Sequence, residues 1–450
     1  MKTLSKSFIL ISILLWVAAP ISLAQQTTPP NILSMQERAD VMNNWLEYRL
    51  DNIVPELMQR ENIDMWIIIA REYNEDPVIR TMLPATWQSA RRRTILVFSD
   101  NDKEIERLAV ARYDIGNFFK TAWDKEEEPN QWKRLVNVIE ERDPDNIALN
   151  YSSTFALADG ISHSEYKTFT SALPDRYQSR IVSGEKLAIG WLETRTEPEM
   201  QVYPMICHIA HDIITEGFSE KAIQPGITTT KDLEWWYRER IRDLNLTVWF
   251  QPSVSIQRAV EADTSFLANF SKRPAENVIR PGDLLHVDFG IAYLGLNTDT
   301  QQHAYVLKAG ETEAPKGLQK ALATGNQLQD ILTNNFKEGL TGNEILSKSR
   351  KEAIDHNIDP SIYTHPIGYH GHGAGPTIGL WDQQDGVPGK GDYPLYANTA
   401  HSIELNATVH IPEWEKDIRI MLEEDAFFDG DSVRYIDGRQ TKLWLIPRQQ

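Results

Sequence analysis

Asp288 and Asp299 stand eleven residues apart in the stretch His286-Val-Asp-Phe-Gly-Ile-Ala-Tyr-Leu-Gly-Leu-Asn-Thr-Asp299, whose other residues are mostly apolar. Leu284–Val287 and Ala304–Leu307 read as two antiparallel strands, with the turn signal Pro281-Gly282-Asp283 before them and bends at Gly290 and Gly295 between them. A hairpin turning at Tyr293-Leu294, beside Gly295, sets Asp288 and Asp299 opposite each other. Like charges so placed repel. A divalent cation between two hard carboxylate oxygens removes that repulsion; the alternative is that both acids face solvent. More ligand types follow in His365-Pro-Ile-Gly-Tyr-His-Gly-His372-Gly-Ala-Gly, in Ser402-Ile-Glu404-Leu-Asn and in Ile418-Arg-Ile-Met-Leu-Glu423-Glu-Asp. Among these, His365 competes with His370 and His372, and Glu423 with Glu424 and Asp425.

Taken in order, these residues make the chain resemble the creatinase/prolidase/methionine-aminopeptidase superfamily of pita-bread metallopeptidases (M24), whose five metal ligands run Asp, Asp, His, Glu, Glu. The spacing of Asp288 and Asp299 is the family's. His365, Gly368, His372 and Gly375 fit the pattern of the Xaa-Pro aminopeptidase and prolidase branch. The resemblance covers residues 190–447 well and the N-terminal third more loosely. It implies metal ligands at Asp288, Asp299, His365, Glu404 and Glu423, and catalytic roles for His372 and Glu404. His401 and His410 fit no family position.

Four carboxylates and an imidazole in one pocket carry about four negative charges, which two divalent cations balance. Unpaired, such carboxylates would cost several kcal/mol each or hold protons instead. By resemblance and by the oxygen-rich ligand set the ions are Mn2+, with Co2+ or Zn2+ as alternatives. A water or hydroxide bridging two such ions becomes a nucleophile near neutral pH. The resemblance then gives Glu404 the proton shuttle to the leaving nitrogen and His372 the tetrahedral oxyanion. The implied activity is hydrolysis of the N-terminal bond of short peptides, Xaa-Pro peptides included. Two positions depart from the family. No histidine occurs from Gln251 to Ile279, His286 being the nearest, and Met421 stands where an arginine is usual, with Arg419 two residues earlier. Those departures favour an alternative: a metal-binding homologue that acts as a binding or scaffold protein without turnover.

The elements that must position these residues follow from the rest of the chain. Its 450 residues exceed one ordinary core. Lys2 and Lys6, the apolar run Phe8–Ala19 and the small residues ending at Ala24 read as a secretory signal peptide over residues 1–24, so the expected location is periplasmic or secreted. Loss of the two lysines takes the net charge of −18 to about −20, which opposes nucleic acid and anionic membranes as partners. Peptide is the expected partner, and the resemblance adds a homodimer. Cys207 is the only cysteine, so no intramolecular disulfide forms.

After a linker over residues 25–33, Ser34-Met-Gln-Glu37 makes a capping box for a helix reaching Arg60. The apolar runs Met65–Ile69, Thr94–Phe98 and Ile147–Leu149, separated by polar or helical segments, predict an α/β domain over residues 34–189 that resembles the creatinase N-terminal domain. A second capping box, Thr196-Glu-Pro-Glu199, opens a helix near the start of the catalytic domain, residues 190–450. Two glycine turns leading into helices, at Pro225-Gly226 and Glu338-Gly339, echo each other and predict a duplicated unit. The expected fold class is thus an α/β N-terminal domain followed by an α+β pita-bread domain with a pseudo-twofold repeat.

Overall fold

The computed structural model describes residues 32–101, 103–259 and 277–448. The expected signal peptide and most of the linker lie outside the described residues. Ser34 caps the helix Met35–Glu61 through Glu37 N, and the Glu37 side chain returns to Ser34 N, as the motif predicts.

That helix covers a six-stranded mixed sheet whose spatial order is Lys120–Thr121, Ile105–Ala109, Arg93–Asp100, Met65–Arg71, Ile147–Leu149 and Ile181–Ser183. The strand Met65–Arg71 is apolar almost throughout because both its faces are covered. Trp66, Ile68 and Ala70 pack with Leu50, Val54 and Leu57 of the first helix and with Leu187 and Trp191 of the helix Glu185–Glu193. Met65, Ile67 and Ile69 pack on the other side with Leu135, Val138 and Ile139 of the helix Gln131–Arg142. Residue 190 falls inside the helix Glu185–Glu193, which thus packs on the N-terminal side.

The remainder is built from two similar halves. The helices Glu197–Gly217 and Thr230–Asp243 share a core with the strand Leu284–Phe289, and the helices Lys316–Asn334 and Gly342–Asp355 share another with the strands Leu405–Ile411 and Lys416–Leu422. In each half the second helix is opened by a threonine capping box, at Thr229/Asp232 and Thr341/Glu344. Each box follows a glycine in the left-handed region, Gly226 (φ +85°) and Gly339 (φ +82°), so the echo in the sequence is an echo in the backbone. Cys207 is buried in the first of these two cores. Among the described residues no helix is long and apolar enough to cross a membrane.

The central hairpin forms, but its register differs from the sequence expectation. Tyr293 pairs with Leu296 across the two-residue turn Leu294-Gly295, both of which have positive φ (+55° and +80°). The turn therefore lies one position later than the midpoint of the two aspartates. Asp288 consequently faces Gln301, not Asp299. Because facing alternates with a period of two, Asp299 still lies on the same face as Asp288 and Gln301, together with His286 and its partner His303.

Candidate metal centre

Three sheets meet at the centre. The strand Leu284–Phe289 brings Asp288, its partner strand Thr300–Val306 begins just after Asp299, and His365 opens a short strand paired with Thr399–Ser402. Glu404 precedes the strand Leu405–Ile411, and Glu423 follows Lys416–Leu422. A backbone bridge ties the assembly together: Gln301 N donates to Glu423 O at 2.9 Å, and Glu423 N to Gln301 O at 3.3 Å.

His365 Nε2 lies 3.4 Å from Glu423 Oε1, 3.6 Å from Asp299 Oδ2 and 3.9 Å from Glu404 Oε2. Donor atoms of Asp299, His365 and Glu423 lie within 4.8 Å of one another. Asp288 is close enough for its charge to act on Asp299 and Glu404. The structure thus brings all five residues to one place. Of the three competing histidines only His365 turns a ring nitrogen to the carboxylates. His370 is near Tyr369 and Arg80 with Nδ1 unpartnered, and His372 lies edge-on to the His365 ring at 4.6 Å and to Trp249 at 5.0 Å. Glu424 faces the other way, accepting from Gln302 Nε2 at 2.9 Å and pairing with His211 at 2.7 Å. Asp425 accepts from Asp299 N at 3.2 Å. His401 is buried against Phe336, and His410 is exposed beside Asp417.

The electrostatics are those of crowded acids in a desolvated pocket. Burial and then the charge of Glu423 push Asp288 up to about 8 and Asp299 well above the usual carboxylate range. Burial and Glu423 likewise raise Glu404. Burial alone would lower His365, but the carboxylates of Glu423 and Glu404 beside it lift it to about 9. His372 is held down to about 4, by burial first and by His365 second.

Such a cluster fits divalent cations. His365 Nδ1 meets Pro366 O at 3.1 Å, which leaves Nε2 to carry the free lone pair toward the acids. His365 Nε2 and Asp299 Oδ1 are buried without hydrogen-bond partners, and buried polar atoms rarely stay unpaired. An all-oxygen set plus one imidazole suits manganese-like ions.

Three residues that the sequence reading did not place here also build the site. Ser402 Oγ donates to Glu423 Oε1 at 2.7 Å, and Gln301 Nε2 donates to both Glu404 Oε1 (2.6 Å) and Glu423 Oε2 (2.7 Å). His286 Nε2 meets Gln301 Oε1 at 2.8 Å. The signal that could have found Gln301 is the strand register, since Asp288 has it as direct partner.

The sequence pattern of metallopeptidase family M24 matches residues 205–435. A search of curated proteins found no match. Among solved structures, the chain is similar to an X-Pro aminopeptidase from Thermotoga maritima MSB8, with 18% identity over 85% of this chain and 98% of that one and a TM-score of 0.59. An Xaa-Pro dipeptidase from Bacillus anthracis matches 92% of this chain and 100% of its own, with 17% identity and a TM-score of 0.53. A dipeptidase from Mycobacterium ulcerans matches 91% and 99%, with 14% identity and a TM-score of 0.55. At these identities the likeness is one of fold, and it spans both the N-terminal and the C-terminal parts.

Proposed function

The chain belongs to metallopeptidase family M24, and from that premise we propose an exported peptidase that uses two divalent cations, Mn2+ foremost, to hydrolyse the N-terminal bond of short peptides, Xaa-Pro peptides among them. The observation that carries this reading is the convergence of Asp299, Glu404 and Glu423 within 3.9 Å of His365 Nε2. Asp288, Asp299, His365, Glu404 and Glu423 are the residues that would hold the ions. When bound, such ions supply a water of lowered pKa and polarise the scissile carbonyl. Glu404, with Oε1 held by Gln301, keeps Oε2 turned to the centre, where it can take the water's proton and pass it to the leaving nitrogen. His372, neutral because it is buried, keeps one N–H to offer the tetrahedral oxyanion.

The test is cleavage of Xaa-Pro dipeptides and of tripeptides with proline second, by wild type and by Glu404→Ala, with and without chelator. Wild type should turn over in Mn2+, the chelator should abolish the activity, and Glu404→Ala should lose about 10²–10⁴-fold in kcat. A second reading, a metal-binding scaffold without turnover, is favoured by Met421 at the place where the resemblance expects arginine. It holds if wild type and Glu404→Ala both bind Mn2+ and are equally inert. Export is tested separately, by the N-terminal sequence of the mature protein, expected to begin at Gln25.

A further inference from the structure

The three-stranded sheet that leads to Glu404 and Glu423 turns one face to the core and the other to the cation centre. Ile362, Leu405, Ala407, Ile418, Ile420 and Leu422 belong to the core, so their neighbours in sequence occupy the second face. The register arranges that face in rows. Tyr363 N donates to Glu404 O at 3.2 Å, and Glu404 and Glu423 stand one position outside the pair Leu405 and Leu422. The next row is Ser361, Asn406 and Met421, and the row beyond it holds Thr408 and Arg419. Successive rows lie two residues apart, about 6.5 Å along a strand.

Donors gather on this face without an acid to match them. Among the described residues the Arg419 guanidinium has no carboxylate partner, although the chain has 64 acids against 46 lysines and arginines. Its Nε leans back one row to Asn406 Oδ1 at 3.4 Å. Because a guanidinium only donates, the amide oxygen is the atom turned to it, and the NH2 group of Asn406 is left over. Asn406 is 2% exposed and its Nδ2 is buried without a hydrogen-bond partner, a condition that buried polar atoms rarely keep. The Tyr363 hydroxyl lies close enough to Glu404, Asn406 and Arg419 for each to act on its ionisation, and burial raises its pKa, so it keeps its proton. Gln257 fixes the backbone beneath the arginine: Oε1 accepts from Arg419 N at 2.9 Å, and Nε2 donates to Arg419 O at 2.7 Å.

We infer that Arg419, Asn406 and Tyr363 form a subsite for the free C-terminal carboxylate of a dipeptide, one residue beyond the scissile bond. The inference rests on the two-cation peptidase reading above and sets the length of its substrate. One residue of extended chain advances about 3.5 Å. A scissile carbonyl held at Glu404 and Glu423 therefore places the carboxyl group of the following residue between that row and the row of Asn406, within reach of the guanidinium. A carboxylate accepts from a guanidinium, an amide and a hydroxyl at once, and such charge-assisted bonds are the strong ones. A tripeptide brings a neutral peptide carbonyl to the same place and leaves the arginine unpaired. The cations are needed too, because without them Glu404 and Glu423 repel a third carboxylate.

The experiment compares Ala-Pro, its C-terminal amide and Ala-Pro-Ala on the purified full chain in Mn2+, for wild type, Arg419→Met, Arg419→Lys and Tyr363→Phe. Arg419 is exposed, so its variants should fold. Wild type should show a KM for Ala-Pro about 10–100-fold below those for the amide and the tripeptide. Arg419→Met should bring acid and amide together, Arg419→Lys should keep part of the gap, and Tyr363→Phe should narrow it by a smaller factor. Equal constants for acid and amide in wild type, or a gap that survives in Arg419→Met, overturns the subsite and leaves the peptidase reading standing. No cleavage of any of the three peptides overturns the peptidase reading, and calorimetry then reads the subsite with an uncleavable Ala-Pro analogue that has CH2 for the scissile carbonyl. In Mn2+ wild type should bind that analogue about 10–100-fold more tightly than its amide, and Arg419→Met should bind the two alike. Equal affinities in wild type overturn the subsite there as well.

Discussion

Glu199→Gln should destabilise the protein more than Arg49→Met, although the two residues form one ion pair. Both side chains are fully buried and 3.1 Å apart, and Arg195, equally buried, lies 3.6 Å from the same carboxylate. Two guanidinium groups thus share one acid, whose pKa is lowered, against the effect of burial, by Arg195 and Arg49. Thr196 N (2.7 Å) and the Tyr369 hydroxyl (2.8 Å) add hydrogen bonds to Glu199. Glutamine at 199 strands two cations in the interior, which sets the loss at the upper end of the range for breaking a buried pair, about 4–5 kcal/mol. Methionine at 49 removes the surplus cation, leaves Glu199 paired with Arg195, and forfeits mainly the bonds from Arg49 to Thr194 O and Trp191 O. That loss is about 2–3 kcal/mol. Urea unfolding at pH 7, followed by tryptophan fluorescence, reads the difference. With a slope of about 3 kcal/mol/M, the midpoint should fall by about 1.3–1.7 M for Glu199→Gln and by about 0.7–1 M for Arg49→Met. The double variant should be more stable than Glu199→Gln alone, since one stranded cation is gone. A midpoint that falls as far for Arg49→Met as for Glu199→Gln, or a double variant worse than both, would refute the charge argument. The cluster matters to the site because both guanidinium groups flank the Tyr369 ring, at 4.9 and 4.7 Å, four residues beyond His365.

Two further outcomes follow from buried groups elsewhere. Glu193 is buried, Oε2 has no hydrogen-bond partner, and burial raises its pKa from 4.5 to about 8. The folded state then holds a proton that the unfolded state has lost, so stability falls as pH rises from 4.5 through about 8. Thermal unfolding from pH 5 to 9 should show this decline in wild type and a flatter profile in Glu193→Gln, with a difference of a few kcal/mol at the alkaline end; parallel profiles would contradict it. A methyl group on Gly371 would lie 2.1 Å from the Trp249 ring, whose Nε1 donates to Thr298 O at 3.0 Å. Gly371→Ala should therefore cost about 1–3 kcal/mol in an unfolding titration and shift tryptophan emission, and a loss below about 0.5 kcal/mol would show that the indole is free to move.

Ligand-type residues near residues 288–299, 365–372, 404 and 423–425 were legible in the sequence, and the resemblance to the M24 pattern picked Asp288, Asp299, His365, Glu404 and Glu423 from them. Helix starts at Ser34 and Thr196 were equally legible, since a capping box satisfies its donors within four residues. The strand Met65–Arg71 showed its burial in its own composition. All these signals are local.

Only the tertiary structure decided the rest. Whether Asp288 faces Asp299 or Gln301 turns on one residue of hairpin register, set by Leu294 and Gly295 at positive φ and by the core that buries Leu294. Residue type alone left His365, His370 and His372, and Glu423 and Glu424, as equals; which of them meets the other acids depends on which way each strand turns its side chains toward partners far along the chain. Gln301 carries no sequence signal of its own, because an amide becomes part of a charged centre only when folding brings Glu404, Glu423 and His286 to its two ends. Local rules fix which residues can do the chemistry; contacts across more than a hundred residues fix which oxygen of each carboxylate is free to do it.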